Sequence, residues 1–245
     1  MVWQAMTSEC GGRSCLFCGS RPVTGEHVFP KWLSSWMREQ EGGYRYTLDT
    51  DIWGEWTSDI LNLTSNRFCG PCNSEWMNQI EADARPLIKQ MALGLVTRAI
   101  ERDDQRTLAV WAWKTALTLL STQHEPIRPP KGLYRAFRRT REPSAPMWLG
   151  AVDRPKELAV QFKMRGITWQ PDEPVVGHVE FDQLFLIVGS LFFDTFYGIR
   201  SQQSIQMNLD KEFYLQLWPY RDVLHWPPEN TVPRERLFAI DGLAQ

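Results

Sequence analysis

The chain has 245 residues, 43% of them apolar, with 27 basic and 29 acidic side chains and a net charge of −2. Enough apolar surface is available for a sizeable core, so disorder is excluded as the default state, and the near-neutral balance excludes a uniformly basic nucleic-acid coat while leaving room for a local basic patch. The longest apolar-rich stretch, Leu184 to Gly198, is interrupted by Gly189, Ser190 and Asp194, too early to supply the roughly 20 apolar residues of a bilayer span.

In chain order, residues 13–73 hold two Cys-x-x-Cys pairs and many turn-formers, with Gly42-Gly43 and Asp49-Thr50-Asp51 marking loops around an extended piece, Tyr44–Leu48. Asn73 is placed to cap a helix carrying Trp76, Met77, Ile80 and Ala84 at helical spacing. Pro86 is expected to end that helix or start another, and Leu87, Ile88, Met91, Leu95 and Ile100 continue the stripe. Thr107 to Ser121 reads as a further helix, with Asp103-Asp104 at its start or in a turn before it. Prolines break the pattern over 125–147, where Arg128, Lys131, Arg135, Arg138, Arg139 and Arg141 form a basic run. The remainder reads as strands: Met147–Val152, Leu158–Met164, a hairpin of Leu184–Val188 and Leu191–Gly198 turning at Gly189-Ser190, and Phe213–Trp218. Imperfect alternation predicts strands buried on both faces. The expected fold class is α+β: an N-terminal metal-bound module over 1–85, a helical connector over 86–125 and a β-rich region over 126–245.

Cys15/Cys18 and Cys69/Cys72 are the strongest chemical signal. Two Cys-x-x-Cys turns offer four thiolates, the donor set of a closed, tetrahedral structural zinc site. Gly19 after the first pair and Gly70-Pro71 inside the second suit tight turns. Residues 1–20 lack the apolar run of a signal peptide, so a cytoplasmic protein is expected, where such pairs favour metal over disulfides. A redox site would need only one pair. Cys10, the fifth cysteine, is read as a free thiol or an alternative ligand.

Between the pairs lies Gly25-Glu26-His27-Val28-Phe29-Pro30, and Asn73 directly follows Cys72. With the cysteines, these residues make the segment from Cys15 to Trp76 resemble the HNH endonuclease family, whose core is a ββα-metal finger of the treble-clef type. The match in pattern is to the endonuclease VII branch, which also places asparagine right after the last zinc cysteine. The resemblance implies an endonuclease hydrolysing DNA phosphodiester bonds. His27 would be the general base that takes a proton from the attacking water, a role imidazole commonly fills near neutral pH. Glu26 and Asn73 would hold a catalytic Mg²⁺ or Mn²⁺ through oxygen, and Cys15, Cys18, Cys69 and Cys72 a structural Zn²⁺. Glu26 stands where the family usually carries aspartate, one methylene shorter. Asn62, Thr64 and Asn66 are the candidates for orienting His27.

Other features are weighed individually. Arg135, Arg138 and Arg139 are candidate phosphate contacts, or else a solvated helix face. Trp32 and Trp36 are expected to pack beside the zinc knot rather than stack on bases, and His124, His178 and His225 lack metal-like spacing. No phosphate-binding glycine loop or nucleophile elbow is present. DNA is the expected partner and no membrane is. The β-rich region carries no readable motif, and self-association or a protein partner through it is open, as is a phage, mobile-element or defence setting. The alternative functions are a non-catalytic zinc module that binds nucleic acid and a protein-interaction scaffold.

Overall fold

The structure is a computed structural model that describes residues 13–40, 44–50, 54–58, 62–94, 96–123, 129–152, 158–169, 179–200 and 209–233. It is a mixed α+β protein with the four paired cysteines near its N-terminus. Strands β1 (Val23–His27) and β4 (Thr64–Cys69) form a small antiparallel ladder. Between them the chain makes helix α1 (Lys31–Arg38) and a hairpin of β2 (Tyr44–Thr50) and β3 (Gly54–Ser58). After β4 come α2 (Gly70–Cys72), a π-helical turn (Asn73–Met77) and α3 (Asn78–Met91). Then follow β5 (Arg98–Ile100), α4 (Arg102–Leu120) and α5 (Lys131–Thr140).

The strands of the C-terminal half are β6 (Met147–Ala151), β7 (Leu158–Trp169), β8 (Val179–Val188), β9 (Leu191–Arg200), β10 (Tyr214–Trp218) and β11 (Leu224–Trp226). The main sheet has the order β10-β6-β9-β8-β7-β2-β3, and β11 pairs with β5. The hairpin excised from between β1 and β4 is thus the edge of this sheet, with β2 parallel to β7 from Tyr44↔Leu158 to Thr50↔Met164. A parallel neighbour needs a long crossover, and here the 107 residues between Thr50 and Leu158 serve as one.

Helix α4 holds the halves together. Every residue from Leu108 to Leu120 is buried, as expected of a helix that is apolar around its whole circumference. Trp111 packs on Phe193 and Trp113 on Tyr197, with ring centroids 5.9 and 6.4 Å apart. Residues 183–197 are all buried, as the poor alternation suggests. The opposite face is covered by a small cluster of Val152, Phe185, Ile187, Phe192 and Val232.

Three local expectations change. The helix after Cys69 starts at Gly70 rather than after Asn73, because extended Cys69 is the N-cap and Pro71 fits the first turn, where a missing N–H costs nothing. Pro86 neither ends nor starts a helix. It lies inside α3 on an exposed face, where water can satisfy the carbonyl left without its backbone donor. Ile100 belongs to β5, and Leu95 lies outside the described residues.

The β8–β9 turn docks on the end of α3. Gly189 has φ +61, and a Cβ there would lie 2.2 Å from the Ala92 carbonyl oxygen. Ser190 N–H donates to that same oxygen at 2.7 Å. Gly189→Ala therefore combines left-handed strain with a backbone clash, and is expected to cost about 2–3 kcal/mol in urea unfolding. Gly132→Ala, in α5 with open space around it, is expected to stabilise by about 0.5–1 kcal/mol in the same assay.

Candidate metal centre and adjoining cleft

The first cysteine pair sits on a knuckle built by backbone hydrogen bonds. Gly19 N–H donates to the Cys15 carbonyl at 2.8 Å, and Cys15 N–H to the Ser20 carbonyl at 3.0 Å. Closing the knuckle needs φ +81 at Gly19, which glycine adopts without a Cβ penalty. Leu16 N–H donates to the Arg67 carbonyl at 3.0 Å, tying the knuckle to β4. The second pair sits where β4 becomes helix: Cys69 is the N-cap and Cys72 follows in the first turn.

The four sulfurs lie within 4.8 Å of one another, and Cys18 and Cys69 Sγ are 3.4 Å apart. Zn–S bonds of about 2.3 Å set tetrahedral S···S edges of about 3.8 Å, so the quartet fits one zinc ion. Burial pushes Cys69 up to about 12 and Cys72 upward. Burial also works to raise Cys18, but hydrogen bonds from the Ser20 side chain and backbone outweigh it and hold this thiol at about 6. A shared cation would stabilise Cys69 and Cys72, which burial makes reluctant to ionise, as thiolates. Cys10 lies outside the described residues.

Phe17, inside the knuckle, stacks on Phe68 at 4.8 Å and meets Trp76 edge-on at 4.9 Å. Tyr134 and Phe137 of α5 complete the cluster, with centroids 5.6 and 6.3 Å from Phe17. The basic run therefore lies on a helix whose apolar face covers the cysteine site. Arg135 and Arg139 are exposed, whereas Arg138 is half-buried with its guanidinium 5.5 Å from the Trp76 centroid. Arg141, left-handed at φ 57, stacks at 3.8 Å on the same indole. Burial and then Arg138 lower its pKa to about 10, against the pull of Cys72. Arg128 lies outside the described residues.

Beside the cysteine site is a cleft of about 410 Å³. Glu26, His27 and Asn73 all line it. The first two end β1, where Glu26 pairs with Ser65 and His27 with Thr64 after a bulge between Thr24 and Glu26. A bulge bends a strand and re-aims its side chains. Asn73 contributes from the first residue of the π-turn. Thr64 is the candidate placed across from His27, while Asn66 lies with Oδ1 3.3 Å from where a Gly25 Cβ would be.

Sequence reasoning missed the rest of the wall. Lys31 from α1, and Asn78 and Glu81 from α3, also line the cleft. Glu81 forms an ion pair with Lys114, which is only 1% exposed, and accepts a hydrogen bond from Trp111 Nε1 at 2.8 Å. The signal was Lys114 itself: an ammonium in the middle of an apolar helix requires a buried acid. Glu26 is 9% exposed, and burial pushes its carboxyl up to about 7, with Lys114 pulling down and Glu81 pushing up. A desolvated carboxylate near a second one favours a bound cation. Glu26, Asn73 and Asn78 offer hard oxygen donors suited to Mg²⁺ or Mn²⁺.

Trp36 is buried and Trp32 half-buried, both in the core packing expected of them. His225 is exposed, and His124 and His178 lie outside the described residues. No helix among the described residues is long and apolar enough to cross a membrane. The chain matches no protein-family model, no curated protein and no solved structure.

Zinc analysis of the purified protein is expected to give one ion per chain, and Cys69→Ala to abolish it. Chelation is expected to lower Tm by roughly 10 °C, since a structural zinc contributes several kcal/mol. Lys114→Met leaves Glu81 buried and unpaired, and is expected to cost about 3–5 kcal/mol in denaturant titration. The double substitution Glu81→Leu with Lys114→Met is expected to recover most of that loss.

Proposed function

We propose that this protein is a metal-dependent endonuclease that hydrolyses DNA phosphodiester bonds, built on an HNH-type treble-clef ββα-metal module. The observation that carries this reading is the shared cleft. The Glu26-His27 dipeptide and Asn73, 46 residues further along the chain, line one opening, and Asn73 directly follows Cys72 of the four-sulfur site. Three residues scattered for packing or capping would have no reason to meet there.

The roles follow from chemistry and placement. His27 is half-buried on the cleft wall, so its ring can reach a water while the strand holds its backbone. A neutral imidazole accepts a proton from that water as it attacks phosphorus. Glu26 and Asn73 would hold the hard divalent cation, which supplies charge stabilisation for the scissile phosphate and its leaving oxygen when bound. Lys31 on the cleft wall adds a positive group. The pair of Glu81 and Lys114 supports the back of the cleft without excess charge of its own. Zinc at the cysteines would fix the distance between the end of β1 and the π-turn, which a catalytic site must hold within a fraction of an ångström.

Incubation with plasmid and branched DNA plus Mg²⁺ or Mn²⁺ tests the proposal. His27→Ala is expected to lower the cleavage rate by about 10²-fold or more, with zinc content and Tm unchanged. Asn73→Ala and Glu26→Gln are expected to raise the divalent-ion concentration needed for half-maximal rate. Equal cutting by His27→Ala and the parent removes the role of His27. Binding without Mg²⁺-dependent cutting would instead identify a non-catalytic zinc module.

A further inference from the structure

Glu81 is the inner end of a stripe along α3. At 3.6 residues per turn, Asn78, Glu81, Arg85 and Lys89 fall on one side of the helix. The first two line the cleft, and the next two run away from it. Arg85 lies over the Trp32 ring, 5.7 Å from its centroid, and Lys89 over the Trp36 ring at 5.8 Å. Trp32 and Trp36 are themselves one turn apart on α1, and Trp32 and Lys31 belong to the cleft wall. Helices α1 and α3 thus present a row of cations that begins at the cleft.

Two features suit this row, which starts at the cleft, to an anionic strand. Among the described residues neither Arg85 nor Lys89 has a carboxylate partner, whereas Arg98 pairs with Asp104 and Lys114 with Glu81. Of the two acids on α3, Glu81 is paired with Lys114, and Asp83 accepts a hydrogen bond from Gln79 and lies roughly half a turn around the helix from the stripe. The indoles also hold the cations in place, since long basic side chains lay their stems along apolar surface and keep their heads in water. Charges held out in this way, unneutralised, are suited to phosphate.

We propose that the α1–α3 face binds the backbone of a nucleic-acid strand, with Arg85 and Lys89 contacting phosphates about two nucleotides apart and leading the strand past Lys31 into the cleft. The spacing is compatible. Glu81, Arg85 and Lys89 rise about 6 Å apart along the helix, close to two nucleotides of axial advance at about 3.4 Å each. This inference assigns a track different from the Arg135–Arg139 surface. It rests on the nucleic-acid part of the proposed function, and not on catalysis.

The test measures salt dependence of binding. In a His27→Ala background, the affinity for a fluorescent 20-base-pair DNA duplex is followed by anisotropy across a KCl series, without added divalent ion. Replacing Arg85 and Lys89 together by Gln is expected to weaken binding about tenfold or more at 0.1 M salt. The slope of log K against log salt is expected to shallow by about 1.8, because each lost phosphate contact removes about 0.9. The charge-preserving pair Arg85→Lys with Lys89→Arg is expected to retain the slope. A slope left unchanged by the Gln pair overturns the track, including where Arg135→Gln with Arg139→Gln lowers it instead. A slope lost equally in the charge-preserving pair shows a packing role and also overturns it, as does absence of duplex binding by the parent. Cutting by the His27-containing parent is measured alongside. Cutting with an unchanged slope rejects the track and keeps the nuclease. A reduced slope with no cutting keeps the track and rejects catalysis.

Discussion

The cleft exists because two Cys-x-x-Cys turns meet at the junction where β4 becomes a helix. Cys69 terminates the strand and Cys72 lies in the first helical turn, so an ion shared with Cys15 and Cys18 would fix strand, helix and knuckle together. The two walls of the cleft come from chain segments joined by a two-stranded ladder and by the packing of Arg85 and Lys89 on Trp32 and Trp36. Such a ladder is marginally stable by itself. His27 lies at one end of it, across from Thr64, and Cys69 at the other, across from Val23. Cross-linking at the cysteine end therefore constrains the register at the histidine end, and a one-residue slip would turn Glu26 and His27 to opposite faces.

A second constraint operates behind the cleft. Helix α4 is too apolar and too enclosed to face water, yet it carries Lys114. The ammonium is tolerable only because Glu81 reaches it from α3 while Trp111 donates to the other carboxylate oxygen. A hydrophobic pair of equal volume could fill that space at similar or lower cost. The ionic pair does something such a pair could not: it puts a carboxylate on the cleft wall without adding net charge. Glu26 then stands on the cleft wall without an ion-pair partner among the described residues, with the Lys31 ammonium on the same wall. Its proton affinity, raised by burial, is the same property that would draw a divalent cation into place.

What could be read from the chain divides by range. Each Cys-x-x-Cys pair and the Glu26-His27 dipeptide are local spacings, and the fold brings the four sulfurs to one site and Glu26, His27 and Asn73 to one cleft. The β8–β9 hairpin and the fully buried strand residues were legible for the same reason, since Gly189-Ser190 and the unbroken apolar runs are short-range signals. Asn73 was misread as a cap because cap preference is judged residue by residue, while the helix start was decided by extended Cys69 and by Pro71. Pro86 was misread because the rule against helical proline assumes no exposed face on which water replaces the lost donor. The partnership of Glu81 and Lys114 has no local signature. It arises only when α3 crosses α4, so an isolated charge in an apolar stripe marked the need without naming the partner. The destination of β2 and β3 was equally hidden, because parallel pairing to β7 links residues over a hundred positions apart.

That long-range pairing bears on the role of the C-terminal sheet. The segment between β1 and β4 leaves the metal module to become the sheet edge and then returns. On its way it forms α1, whose indoles pack beneath Arg85 and Lys89. At the far end of α3 the β8–β9 turn approaches so closely that Gly189 has no room for a Cβ. Helix α3 is therefore held by Lys114 at Glu81 in its first turn and by the hairpin tip at its end, and an ion at the cysteines would fix the π-turn that leads into it. A helix held at both ends and inserted through a π-turn has little freedom to rotate, and π-turns recur at functional sites because they shift the phase of a helix locally. Here the shifted residues are Asn73 to Met77, directly between the cysteine site and the cleft. The sheet thus acts on the site mechanically, by setting the axial and rotational position of the helix that carries Asn73, Asn78 and Glu81.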